Sequence, residues 1–223
     1  CKASDIIITK RNTATLRHLE ARGVKVTAEN SDAVKKSEII ILAVKPYQVS
    51  EVLGSFKTAL TAKHTLVSVV TGVLIKDLEV SVEKKMPVFR AMPNTAIAIQ
   101  QSMTCLSFNN AAATHVSFVT KLFSTLGKVA VINENLMDAA TVLGACGTAY
   151  AMRYIRANIQ GGIEIGFDAA TASLIAAQTV KGAAELLLEK GSHPEQEIDK
   201  VTTPKGCTIA GLNEMEHQGF SSS

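Results

Sequence analysis

Two patterns of apolar and polar positions divide the chain. In its first part, short runs of Ile, Val and Leu alternate with stretches of helical periodicity. Residues 5–8, 24–26, 38–44, 65–70 and 87–91 read as strands, being β-branched and bounded by polar or turn residues. Residues 13–22 read as a helix with Leu16 and Leu19 inward and Gly23 ending it, and residues 31–36 as a helical turn. The run Ile39-Ile40-Ile41-Leu42 is apolar without alternation, as in strands covered on both faces of a parallel sheet. Strand, helix, strand, repeated, predicts an α/β fold: a Rossmann-like, doubly wound parallel sheet. Beyond Val131 the β-branched runs stop and helix signals dense in Ala and Gly take over. Asp168 stands as the N-cap of a helix reaching Lys190 and closed by Gly191. His193-Pro194 opens another segment, and the turn ending at Gly206 precedes a helix beginning near Ile209. The boundary is placed accordingly, with residues 1–132 a dinucleotide-binding domain and residues 133–223 an all-helical one.

The glycine signature of such a sheet is not found after the first strand. Residues 5–8 lead into Thr9-Lys10-Arg11-Asn12 rather than G-x-G-x-x-G, so the expectation is that this chain lacks the first strand and its glycine loop. The helical part is rich in small residues, among them Ala169, Ala172, Ala176, Gly182 and Ala183. Small side chains let helix axes approach closely, which suits interlocked subunits and equally a tight core within one subunit.

Composition removes several functional classes. An apolar fraction of 47% with 19% charged residues describes a folded globular chain. The net charge is only +3 and its cations are scattered, which argues against nucleic-acid binding. No apolar run is long enough to span a bilayer, and a cytoplasmic location is expected. Cys1, Cys105, Cys146 and Cys207 show no C-x-x-C spacing and read as reduced thiols, and the five histidines form no metal-binding pair. No metal site is expected.

Four stretches carry candidate chemistry. The turn holding Lys10 and Arg11 ends a strand where a dinucleotide's adenosine ribose is met; two cations and no acid there favour NADPH over NADH. Ala43-Val44-Lys45-Pro46 ends the most apolar strand, placing Lys45 for a pyrophosphate or ribose. Met92-Pro93-Asn94-Thr95 follows another strand and offers an amide for a carboxamide or a substrate carbonyl. The stretch from Thr202 to Thr208, through Thr203, Gly206 and Cys207, brings hydroxyls and free N–H groups to a helix start, apt for a carboxylate. No Ser–His–Asp or Cys–His constellation assembles. Chemistry in which a cofactor carries the hydride needs little from the protein beyond binding and alignment.

Read in order, these segments resemble the pyrroline-5-carboxylate reductases over essentially the whole chain. The resemblance rests on Asn30 after a short strand, Ile41 through Pro46, residues 68–72, Met92-Pro93-Asn94-Thr95, Leu136-Met137-Asp138-Ala139, Gly147-Thr148-Ala149-Tyr150, residues 176–183, His193-Pro194 and residues 201–211. It implies reduction of 1-pyrroline-5-carboxylate to L-proline with NADPH or NADH. It also implies a helical domain that dimerises by interlocking helices, with dimers joining into larger rings. By the same resemblance, Lys10 and Arg11 face the ribose phosphate and Asn30 the adenosine. Ala43, Val44, Lys45 and Thr71 line the pyrophosphate and nicotinamide riboside. Thr203, Gly206, Cys207 and Thr208 bind substrate, with the Thr208 hydroxyl at the ring nitrogen, and Glu134 is an acid close to that site. The chain departs from the family at Gly144-Ala145-Cys146, where S-G-S is usual, and at Lys205 and Cys207 within the S-P-G-G-T-T block. Two rivals are an NADP-dependent imine or β-hydroxyacid oxidoreductase of the same architecture and a cofactor-free dimeric binding or scaffold protein. The first long helix of the helical part lacks the Lys that β-hydroxyacid dehydrogenases use.

Overall fold

The computed structural model describes residues 2–222; Cys1, one of the four expected thiols, lies outside them. Seven strands are present among the described residues: β1 (Ile7–Thr9), β2 (Lys25–Thr27), β3 (Ile39–Leu42), β4 (Thr65–Ser68), β5 (Val88–Met92), β6 (Ser102–Phe108) and β7 (Gly127–Val131). The helices of the same part are α1 (Arg17–Glu20), α2 (Asn30–Lys35), α3 (Val49–Phe56), α4 (Ile75–Val82), α5 (Ala113–Ser124) and α6 (Met137–Ala140). β1 and β2 form a parallel pair, and the other five strands run in the order β3-β4-β5-β6-β7. β3, β4 and β5 are mutually parallel, as the alternation of strand and helix predicts.

Two features differ from a uniform doubly wound sheet. β6 is antiparallel to β5, with Phe89 opposite Phe108, because only the short Thr95–Ile99 turn separates these strands. A parallel return needs a crossover of a dozen or more residues. In addition, β1 pairs only with β2, and β3 carries no partner on its other edge among the described residues. The break falls where a doubly wound order seats the first strand, between the second and the fourth. Ile41 is accordingly 51% exposed on a strand whose neighbour β4 is wholly buried.

Two clusters form the core of this part. Leu42, Leu66 and Val88 pack beneath Val34 of α2, Leu53 and Phe56 of α3, and Leu78 and Val82 of α4. On the opposite face Val67, Phe89 and Leu106 meet Val119 and Phe123 of α5. Each fully buried Leu or Phe of this kind contributes about 1.5–3 kcal/mol relative to its exposed state.

The chain divides into two compact units, residues 1–150 and 151–223. The division lies inside α7 (Gly147–Glu164), later than the change in composition near residue 132. Residues 134–146 fold with the sheet because Met137 is fully buried there and Ser107 Oγ donates to the Ile132 carbonyl at 2.8 Å. The second unit holds the rest of α7, α8 (Ala169–Lys190), α9 (Pro194–Val201) and α10 (Cys207–His217). Asp168 caps α8 by accepting from the N–H groups of Ala170 and Thr171, both at 3.0 Å. Gly191 ends the helix in the left-handed conformation, at φ 64°, that a side chain would disfavour. α9 starts at Pro194 behind a His193 cap, and the rings of Tyr154 and Phe220 lie 6.0 Å apart.

Candidate functional site

The candidate residues of the first unit gather at the carboxyl ends of its parallel strands, where open sheets bind ligands. Lys10 and Arg11 follow β1. The Lys10 ammonium donates to Thr15 Oγ1 at 2.9 Å, and the Arg11 guanidinium pairs with Glu51 of α3. Asn30, the first residue of α2, donates through its amide to Ser55 Oγ, also on α3, at 2.9 Å. Ala43, Val44 and Lys45 follow β3, with Ala43 and Lys45 exposed, and Pro46 opens the short turn leading into α3. Thr71 and Gly72 follow β4 in an exposed turn with Gly72 at φ 75°, and among the described residues their N–H groups have no acceptor. Unspent N–H groups and three cations, each following the carboxyl end of a strand, are donors suited to a dinucleotide's phosphates.

Asn94 and Glu134 both make hydrogen bonds within the chain. The Asn94 amide donates to the Gly144 carbonyl at 3.2 Å, while its oxygen accepts from the Ala96 N–H at 3.1 Å. Gly144 belongs to a π-helical stretch, Thr141–Cys146, a distortion common near functional sites and one the sequence does not announce. Glu134 Oε1 accepts from the Ile75 N–H at 2.7 Å and from Arg90 Nη1 at 2.9 Å. Both residues thus fasten the segment after β7 to the sheet, Glu134 at the start of α4 and Asn94 just beyond β5.

Arg90 is the residue that sequence reasoning missed. It is 2% exposed, in the middle of β5, and its Nε and Nη2 have no partner among the described residues. An apolar strand with one central arginine was the available signal: a buried cation demands an anion, and Glu134 meets that demand. Losing either partner would leave the other charge buried and unpaired.

The second unit presents a separate group. Thr203, Gly206, Cys207 and Thr208 share one loop ending at the start of α10. Gly206 is required by close approach: a Cβ there would lie 2.5 Å from Thr203 Oγ1. Lys205 adopts the left-handed conformation, φ 62°, which a non-glycine residue enters at some cost. No side chain caps α10, and the N–H groups of Cys207 and Thr208 find no acceptor among the described residues. The hydroxyls of Thr203 and Thr208 likewise make no hydrogen bond among the described residues. Two N–H groups and two hydroxyls at a helix start are fitted to hold an anion and one neutral acceptor.

Clefts are a poor guide in the first unit. A cleft of about 580 Å³ lies at the amino ends of β3 and β4, lined by Glu38, Ile39, His64 and Phe118. That is the opposite end of the sheet from the gathered donors. Among the described residues, no three His, Cys, Asp or Glu side chains cluster as metal ligands would.

A parallel sheet with cations and free N–H groups at its carboxyl ends, followed by an all-helical unit, defines the class of dinucleotide-binding α/β proteins. Comparison with known proteins agrees and goes further. Residues 1–72 match the family described as NADP oxidoreductase, coenzyme F420-dependent, and residues 134–223 the one described as pyrroline-5-carboxylate reductase dimerisation. The chain is 49% identical over 233 aligned positions to pyrroline-5-carboxylate reductase 1 of Dictyostelium discoideum, covering 99% of this chain but 42% of that protein. To reductase 2 of the same organism it is 41% identical, covering 99% and 79%. The crystal structure of Plasmodium falciparum pyrroline carboxylate reductase with NADP bound superposes with a TM-score of 0.88 at 26% identity, covering 99% of this chain and 82% of that one. The chain belongs to the pyrroline-5-carboxylate reductase family, within the NAD(P)-dependent oxidoreductases.

Proposed function

We propose that the protein reduces 1-pyrroline-5-carboxylate to L-proline, with NADPH preferred and NADH accepted, as the last step of proline synthesis. The observation that carries this reading is the start of α10, where uncapped N–H groups of Cys207 and Thr208 stand beside the unbonded hydroxyls of Thr203 and Thr208. The substrate has two matching features, a carboxylate and a ring nitrogen. Thr203 and the free N–H groups of Cys207 and Thr208 hold the carboxylate in the loop that Gly206 shapes, and the Thr208 hydroxyl hydrogen-bonds the nitrogen. Two fixed points orient the ring, so the C=N carbon presents one face for reduction. NADPH, when bound, would supply the hydride to that carbon; the nitrogen, protonated from solvent beforehand, would keep the electron pair of the C=N π bond and become the amine of the product.

In the first unit, Lys10 and Arg11 meet the ribose phosphate and Asn30 the adenosine, while Ala43, Val44, Lys45 and Thr71 line the pyrophosphate and nicotinamide riboside. Asn94, beyond β5, meets the cofactor, and Glu134 stands as the acid close to the substrate, anchored by its bonds to Arg90 and the Ile75 N–H. The enzyme works as a homodimer, from which any larger ring is built, and its free thiols at Cys105, Cys146 and Cys207 suit the reducing cytoplasm.

The test is turnover. Full-length protein should oxidise NADPH when 1-pyrroline-5-carboxylate is added and not in its absence. Folded protein inactive with that substrate and with either nicotinamide cofactor overturns the assignment.

A further inference from the structure

We infer that Glu51 acts as a brake on binding of the cofactor's 2′-phosphate, and so sets how far the enzyme favours NADPH over NADH. The inference rests on the reading that Lys10 and Arg11 receive this phosphate. The two cations are held differently. Lys10 is held by a neutral hydroxyl, that of Thr15, whereas Arg11 is held by the carboxylate of Glu51. Glu51 reaches the rim of β1 from α3, and Ser55, one turn along on the same face, reaches Asn30. α3 thereby lays one anion and one hydroxyl along the edge where the adenosine ribose is read.

The pair is solvated, with Arg11 76% and Glu51 67% exposed, so no burial locks it shut. A phosphate dianion taking the Arg11 guanidinium must displace Glu51 or share the cation with it. Either way a carboxylate stays within a few ångströms of the incoming charge, well inside the screening length of about 8–10 Å at ordinary ionic strength. A 2′-hydroxyl in the same place carries no charge and is not repelled. Lys10 is paired with no carboxylate among the described residues and is the cation freer to take the phosphate first.

The experiment measures dissociation constants on full-length protein for two matched pairs: NADPH against NADH, and adenosine 2′,5′-bisphosphate against adenosine 5′-monophosphate. Glu51→Gln should tighten NADPH and the bisphosphate by about two- to tenfold, the scale of one exposed charge contact. NADH and the monophosphate should not change, and the gain should shrink as salt is added. Unchanged or weaker binding of the phosphorylated ligands overturns the inference, the latter by showing that Glu51 orients Arg11 to their benefit. Lys10→Ala and Arg11→Ala test the underlying reading separately. If they weaken phosphorylated and unphosphorylated ligands equally, the turn does not read the phosphate, whatever Glu51→Gln does.

Discussion

Thr208 is the single side chain on which the proposed chemistry concentrates. Gly206 is the N-cap of α10, so Thr208 sits inside the first turn with its hydroxyl unspent rather than committed to capping. Removing that hydroxyl should cost rate more than fold. For Thr208→Ala we expect kcat/KM to fall by roughly ten- to a thousandfold, about 1.4–4 kcal/mol, with NADPH affinity nearly unchanged. Steady-state kinetics and thermal melting on the same preparation check this; a destabilised variant with wild-type kcat/KM would assign Thr208 to the helix instead. This residue was legible in sequence because hydroxyls, a glycine and a helix start fall together within a few positions. Arg90 was not, because its meaning lies in Glu134, forty-four positions away and brought alongside only by the fold.

Among the elements, α8 is the one written most fully into its own sequence, with cap and stop both local. Its cap also makes it sensitive to acid. Hydrogen bonds from Thr171, through side chain and backbone, and from the Ala170 N–H hold the Asp168 carboxyl below the usual aspartate value. A carboxyl depressed in the folded state contributes stability that is full above its ordinary value and is lost as pH falls through the depressed one. Asp168→Ala should therefore melt a few degrees lower than the parent near neutral pH. The gap should close as pH drops below the ordinary aspartate range. Melting curves of both proteins across that range check the sign, and a gap that widens in acid would reject the cap. By contrast, β6 reads in sequence only as another apolar stretch. Its antiparallel direction follows from the short connection to β5, which no periodicity reports.

For the whole molecule, the apolar surface of the helical unit is the dominant fact. α7 buries none of its residues, and α8 buries only Ala172 and Ala176, while Met152, Ile163, Leu174 and Leu188 stand exposed. So much apolar surface on two long helices calls for a partner. The match of residues 134–223 to a dimerisation family makes a second copy the partner of choice. Sedimentation of the full-length protein at micromolar concentration should show dimers or multiples of dimers and no stable monomer. A fully active monomer would remove the interface from the mechanism.

The sequence by itself determined whatever depends on neighbours along the chain. The recurring short apolar runs between helical stretches implied parallel strands, although Ile41, in the most apolar of them, stays half exposed. Asp168 and Gly191 bounded a helix, and Lys10 and Arg11 put two adjacent cations in the turn after a strand. Tertiary structure alone decided what those groups meet. It set Glu51 against Arg11, gave Arg90 its counter-charge, turned the Asn94 amide to a backbone carbonyl, and folded residues 134–146 onto the sheet. The physical reason is range: helix caps and strand periods are satisfied within a few residues, whereas a buried charge or an unspent donor is answered by whichever distant segment the packing brings within about 3 Å.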